Sequence, residues 1–217
     1  MIKAIFWDND GVLVDTEKLY YRANREIFSE IGINLTKELY LENFLVKSKG
    51  IWFLAAQKGL DENQIKQLRE ERNRRYATLL EREPIFIKGV EETLKFLHGK
   101  FLMGIVSSSR KEHFDIIHKK SNLLQYFDFT LTSEDFTEPK PSAKPYLKAL
   151  EITGFHENEC IAIEDSERGL KSALGAKLKC YVIPTPLTKN SNFYGAAKLL
   201  KNATEVLNLL DFHQKTL

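Results

Sequence analysis

Two carboxylates one residue apart, Asp8 and Asp10, close an apolar run that starts at Ile2 and continues through Ala4-Ile5-Phe6-Trp7. Gly11 and the apolar triplet Val12-Leu13-Val14 follow. A run with so little alternation reads as a strand buried on both faces, as in a parallel sheet. Ligands and catalytic groups in open α/β sheets gather outside the carboxyl ends of strands. A carboxylate with an ordinary pKa of about 3.9 is ionised at neutral pH, so Asp8 has the position and charge of a nucleophile toward phosphorus. Asp10 would protonate the leaving oxygen and later deprotonate water. The competing reading is a solvated turn, because Asp-x-Asp-Gly is also a common turn composition.

Three further groups stand at comparable places. Ser107 ends the run Gly104-Ile105-Val106, Lys140 sits in Glu138-Pro139-Lys140-Pro141, and Glu164-Asp165-Ser166 ends Cys160-Ile161-Ala162-Ile163. With Asp8-Asn9-Asp10-Gly11-Val12-Leu13, this ordered set resembles the four motifs of the haloacid dehalogenase superfamily, in its phosphatase and β-phosphoglucomutase-like branch. The resemblance spans nearly the whole chain.

The resemblance implies the same roles for Asp8 and Asp10, with Ser107 as a donor to the phosphoryl oxygens beside Ser108. Lys140 would keep Asp8 ionised and neutralise charge during transfer. Glu164 and Asp165 would join Asp8 and a phosphate. Two like charges ~4 Å apart repel by about 4 kcal/mol at an effective dielectric of 20, so several such pairs require a cation. An all-oxygen shell selects a hard ion, and Mg²⁺ is expected. Asp8 and Asp165 are the expected side-chain ligands, the Asp10 carbonyl a third, and Glu164 a residue acting through water or orienting the shell.

Two of these positions have rival readings. Ser107-Ser108-Ser109 precedes a helix and would also serve as its N-cap. Lys144-Pro145 competes with Lys140-Pro141, but Lys144 falls in a first helical turn, whereas Lys140 stands at the family's spacing from the acidic pair. Ala143-Lys144 replaces the Pro-Asp that the family often has there.

The elements that must position these groups follow from periodicity. Leu19, Ala23, Ile27 and Ile31 repeat at helical spacing up to Gly32, and shorter helical segments cover 37–44 and 51–58. A charged helix from Asp61 to Glu83 has Ile65, Leu68, Tyr76 and Leu79 as apolar contacts, and its Arg-Glu-Glu-Arg-Asn-Arg-Arg run reads as a solvated face. From Pro84 strands and helices alternate, which implies parallel strands with right-handed crossovers. A last amphipathic helix is expected around Val206, Leu209 and Leu210. The expected fold is therefore α/β, a Rossmann-like three-layer core with a parallel sheet plus an inserted all-helical cap. Residues 1–15 and 84–217 form the core and 16–83 the cap. By resemblance, the cap segment Leu45 to Gly50 reaches into the site, with Lys47 or Lys49 contacting substrate.

The 217 residues are 43% hydrophobic and 29% charged, which suits a globular chain with a real core. A net charge of +2 is too small to argue for nucleic acid or an anionic membrane. No apolar stretch is long enough for a membrane span, and Met1-Ile2-Lys3 is not a signal peptide, so the cytoplasm is expected. Cys160 and Cys180 read as buried thiols, and the five histidines as structural. A small phosphorylated metabolite is the expected partner of a monomeric enzyme. Hydrolysis is favoured over phosphosugar mutation, because Tyr20 stands where mutases of that branch often carry a histidine.

Overall fold

Strand β1 (Ala4–Trp7) is wholly buried and paired on both sides, with β2 (Leu102–Val106) and with β4 (Cys160–Glu164). This computed structural model describes residues 1–46 and 50–210. Six strands form one sheet in the order β3-β2-β1-β4-β5-β6, every pair parallel, with β3 at Phe129–Leu131, β5 at Lys179–Val182 and β6 at Lys198–Leu199. The chain moves outward from β1 in one direction, then returns to lay β4 on its other flank. β1 and β4 thus straddle the point where strand order reverses, and the crevice at their carboxyl ends is where such sheets bind ligands.

Both sheet faces are covered, which explains the missing alternation in β1. Ile5 and Trp7 enter one core with Met103, Ile105, Ile161 and Ile163, under helices α5 (Val90–Leu97) and α6 (Lys111–Ser121). Ala4 and Phe6 enter the other with Val106 and Ala162, under α7 (Lys144–Thr153) and α8 (Glu167–Gly175). Successive residues of a strand face opposite sides, so one short segment seeds both cores.

Between β1 and β2 the described residues are helical: α1 (Glu17–Glu30), α2 (Lys37–Tyr40), a π-helical stretch Leu41–Val46, α3 (Phe53–Gln57) and α4 (Glu62–Arg82). Phe28, Leu35, Tyr40 and Ile51 make a small core of their own. Asp61 caps α4 through a reciprocal bond pair with Gln64, at 2.9 Å in each direction. The two linkers into and out of this helical block run side by side, with the Asp15 N–H donating to the Ile85 carbonyl at 2.8 Å.

One expectation changes, and one strand gave no signal in the sequence. The tail is a 3₁₀ run, Ala203–Leu209, packed on α5 rather than a regular helix. Asn202 sets its start by accepting the Thr204 N–H, a local bond that competes with regular helix. Strand β6 has two residues, too few for any period to register. Among the described residues no helix is long and apolar enough to cross a membrane.

Candidate active site

Asp8 follows β1 and is tied to β4 by its N–H, which donates to the Ile163 carbonyl at 2.9 Å. Lys140 Nζ donates to Asp8 Oδ1 at 2.7 Å, to Glu164 Oε1 at 2.6 Å and to the Val106 carbonyl at 2.7 Å, which uses all three of its protons. One ammonium therefore joins the ends of β1, β2 and β4. Burial works against its charge, but the Asp8 and Glu164 carboxylates outweigh that and raise its pKa. The rival Lys144 pairs with Glu138 in solvent at 2.6 Å. Folding separates the two lysines where sequence left them close.

Asp8, Glu164 and Asp165 offer carboxylate oxygens that lie within 4.8 Å of one another, and all three residues are buried. Burial, then Glu164, pushes the Asp8 carboxyl up to about 7 against the pull of Lys140. Asp165 is raised well above the carboxylate range by burial and by its two acidic neighbours. Such crowding is unfavourable unless a cation shares it, and the all-oxygen donor set suits a hard divalent ion. Glu164 is already engaged: Oε1 accepts from Lys140 and from the Tyr146 hydroxyl, and Oε2 from the Asp165 N–H at 3.3 Å. That leaves Asp8 and Asp165 as the freer acids.

Glycine is required at two points around this cluster. Gly11 has φ +88°, and a Cβ there would lie 2.4 Å from Asp165 Oδ2. A Cβ on Gly169 would lie 1.9 Å from Glu164 Oε2. Each acid packs directly on bare backbone.

Asp10 is not part of the trio but lines the same cavity as Asp8. It accepts from Thr16 Oγ1, from Ser109 Oγ at 2.5 Å and from Asn9 Nδ2 at 3.2 Å. Ser107 is fully buried and accepts the Ser109 N–H at 3.0 Å, while Ser108 and Ser109 line the cavity. The expected N-cap role of the serine triplet does not occur. Arg110 is the cap residue of α6, and Glu134 takes the Lys111 N–H at 3.0 Å, because the Ser109 hydroxyl donates to Asp10 and the Ser107 hydroxyl accepts within its own turn. Lys47 and Lys49 lie outside the described residues.

Asp8, Asp10 and Lys140 line a cavity of about 120 Å³ beneath the helical block. Its other walls hold Tyr20 from α1, already noted at the mutase-histidine position, and residues given no site role from the sequence: Glu17 from α1, Arg72 and Tyr76 from α4, His113 from α6, and Arg168 from α8. The charged run in α4 is solvated at Arg74 and Arg75, which pair with Glu71 at 2.6 and 2.9 Å. Arg72 departs from that reading, being buried at 7% exposure. A signal was present, since Arg72 falls on the inward stripe at positions 65, 68, 72, 76 and 79. His113, buried against Tyr76, also lines the cavity.

The sheet order and the acids at its switch point define a Rossmann-like α/β core with a helical insert over its mouth. A family model described as haloacid dehalogenase-like hydrolase matches residues 5–183, and the chain belongs to that family. YhcW of Bacillus subtilis is 31% identical over 95% of this chain and 94% of its own. The phosphorylated carbohydrates phosphatase of Thermotoga maritima is 29% identical, covering 96% of this chain and 98% of its own. Among solved structures, CbbY from Rhodobacter sphaeroides in complex with phosphate superposes with a TM-score of 0.78 at 24% identity, over 95% of this chain and 96% of that one, a likeness of fold.

Proposed function

We propose that the chain is a Mg²⁺-dependent phosphatase that hydrolyses a small phosphomonoester through an aspartyl-phosphate on Asp8. The observation that carries this is the Lys140 ammonium bridging Asp8 and Glu164 at 2.7 and 2.6 Å, beside Asp165, at the mouth of the sheet. Asp8 presents Oδ1 to Lys140, and no described residue donates to Oδ2. In this reading an Asp8 oxygen attacks phosphorus, the bond to the leaving oxygen breaks, and Asp10 gives that oxygen a proton. Water then attacks the phosphorus of the acyl phosphate with Asp10 as base, which releases phosphate and restores Asp8. Lys140 offsets charge on the phosphoryl group, and the hydroxyls of the 107–109 turn support its oxygens. Asp8 and Asp165 would hold Mg²⁺ with the Asp10 carbonyl, and Glu164 would orient the shell through Lys140. The ion would screen the repulsion between phosphate and carboxylates.

Residues 16–83 act as the cap and exclude water from the cavity. A concave cavity enclosed between the helical block and the end of the sheet suits a small metabolite and not a folded phosphoprotein. A monomer in the cytoplasm fits this role. A phosphosugar mutase is the second reading, but Tyr20 accepts from Arg72 at 2.6 Å, which ties up the group at the position of a mutase histidine.

Phosphate release from a panel of phosphorylated metabolites, with Mg²⁺ and with excess EDTA, tests the proposal. Release should require Mg²⁺ and vanish in Asp8→Asn with the fold intact. Full turnover by that variant, or in EDTA, would overturn it. Conversion of β-glucose 1-phosphate to glucose 6-phosphate would favour the mutase.

A further inference from the structure

Asn9 and His118 form a polar pair inside the apolar core beneath α6. His118 Nε2 donates to Asn9 Oδ1 at 2.9 Å, and the Ser121 hydroxyl donates to His118 Nδ1 at 2.9 Å. From its other end Asn9 donates through Nδ2 to Asp10 Oδ2 at 3.2 Å. Asn9 is fully buried, His118 is 4% exposed, and the Phe114 ring lies 4.3 Å from the imidazole centroid. An amide and an imidazole placed there carry a desolvation cost that two apolar side chains would avoid. Neither belongs to the described residues that line the cavity, so any effect on a substrate has to pass through Asp10.

The hydrogen bonds at Asp10 show what the pair can do. A carboxylate offers about four lone-pair positions, two on each oxygen. Oδ2 accepts from Asn9 Nδ2 and from Ser109 Oγ at 2.5 Å, which fills both of its positions. Oδ1 accepts from Thr16 Oγ1, which leaves it one position open. The Ser109 and Thr16 hydroxyls rotate, and each can donate or accept, so they do not decide which Asp10 oxygen carries a proton. The Asn9 amide has no such freedom while His118 holds its far end. Turning it over would set Asn9 Oδ1 against Asp10 Oδ2, two acceptors, and its NH₂ against the ring N–H.

We infer that His118 and Asn9 are positioning residues for Asp10: they hold Oδ2 as a permanent acceptor and leave Oδ1 as the oxygen that exchanges a proton with the substrate. This rests on the phosphatase reading, in which Asp10 is acid and then base. In the first step the Oδ1 proton passes to the leaving oxygen as its bond to phosphorus breaks. In the second, Oδ1 takes a proton from the attacking water as the new oxygen–phosphorus bond forms. Oδ2 keeps its donors throughout, so one oxygen is presented in one orientation.

Aryl phosphates of similar shape and different leaving ability test this with Mg²⁺ present at neutral pH. Nitrophenolate leaves p-nitrophenyl phosphate with little help from an acid, whereas phenyl phosphate gains more from protonation of its leaving oxygen. kcat/KM reports the steps up to formation of the phosphoenzyme. His118→Leu should lower it about 10-fold or more on phenyl phosphate and about threefold or less on p-nitrophenyl phosphate, as expected for a lost support behind an acid. The alkyl ester cleaved fastest in the metabolite panel should fall at least as far as phenyl phosphate. His118→Gln, whose amide can still donate to Asn9 Oδ1, should stay near the wild-type ratio of the two aryl esters. Should His118→Leu fail to fold, Asn9→Leu removes the donor to Asp10 and carries the same comparison. Equal losses on the two aryl esters, or full activity on both, would overturn the inference while release by the wild type still upheld the phosphatase. Absence of release from every ester by the wild type would overturn both.

Discussion

The Tyr146 hydroxyl donates to Glu164 Oε1 at 2.6 Å, the same oxygen that Lys140 holds at 2.6 Å. Tyr146 is fully buried in α7, and Lys140 lies 5.1 Å from its ring centroid. One phenol thus fixes the carboxylate that fixes the lysine that faces Asp8. Tyr146→Phe keeps the ring and removes the donor. Losing a hydrogen bond to a buried charged acceptor costs about 1.5–3 kcal/mol, and urea unfolding should show a loss of that size. An unchanged midpoint would mean that Lys140 alone holds Glu164.

Lys140 and Lys144 make a sharper contrast. Lys140→Met leaves Asp8 and Glu164 buried without a countercharge, and removing one partner of a buried ion pair costs about 3–5 kcal/mol. Lys144→Met removes a solvent-exposed pair with Glu138 and should leave the unfolding midpoint where it was. Equal effects from the two substitutions would contradict the buried network.

Divalent metal should stabilise the fold. Asp8 and Asp165 are both raised by burial and by mutual repulsion, so an ion that binds only the folded chain relieves that crowding. Thermal melts should move upward with millimolar MgCl₂ and return with EDTA. Asp165→Asn removes one of the repelling charges, so that variant should melt above the wild type in EDTA and lose the upward shift with Mg²⁺. A full Mg²⁺ shift in the variant would place the ion elsewhere.

His118 links stability to pH. Its Nε2 lies 2.9 Å from Asn9 Oδ1 and its Nδ1 lies 2.9 Å from Ser121 Oγ. Asn9 Nδ2 already donates to Asp10, so the ring donates from Nε2 and accepts at Nδ1, the neutral form. Burial lowers its pKa from 6.5 to about 4. Between those values the unfolded chain binds the proton and the folded chain does not, so stability falls as the solution is acidified from pH 6.5 to 4. The full loss is about 3 kcal/mol. Urea midpoints measured across that window for the wild type and His118→Gln should differ in slope, with the variant flatter. Parallel curves would assign the acid sensitivity to other groups.

Much of this could be read from the order of residues alone. The unbroken apolar run Ala4 to Trp7 announced a central strand, since only burial on both faces removes alternation. The acids at 8, 10, 164 and 165 and Lys140 stood out because strand ends in such sheets gather chemistry. Arg72 did not, because a charged residue in a charged helix looks solvated until its stripe is compared with its neighbours. Ser107 and Ser109 could not be told apart either, because a turn decides which hydroxyl meets Asp10.

By itself the sequence determined the succession of elements and the covalent order of the acids, both of which depend on neighbours along the chain. Only the tertiary structure decided that Lys140 spends its protons on Asp8, Glu164 and the Val106 carbonyl, that Tyr146 completes the Glu164 network, and that Arg72 faces the cavity. These are relationships between groups far apart in the chain. Their energies depend on distance and on exclusion of water, which exist only once the sheet has brought the ends of β1, β2 and β4 together.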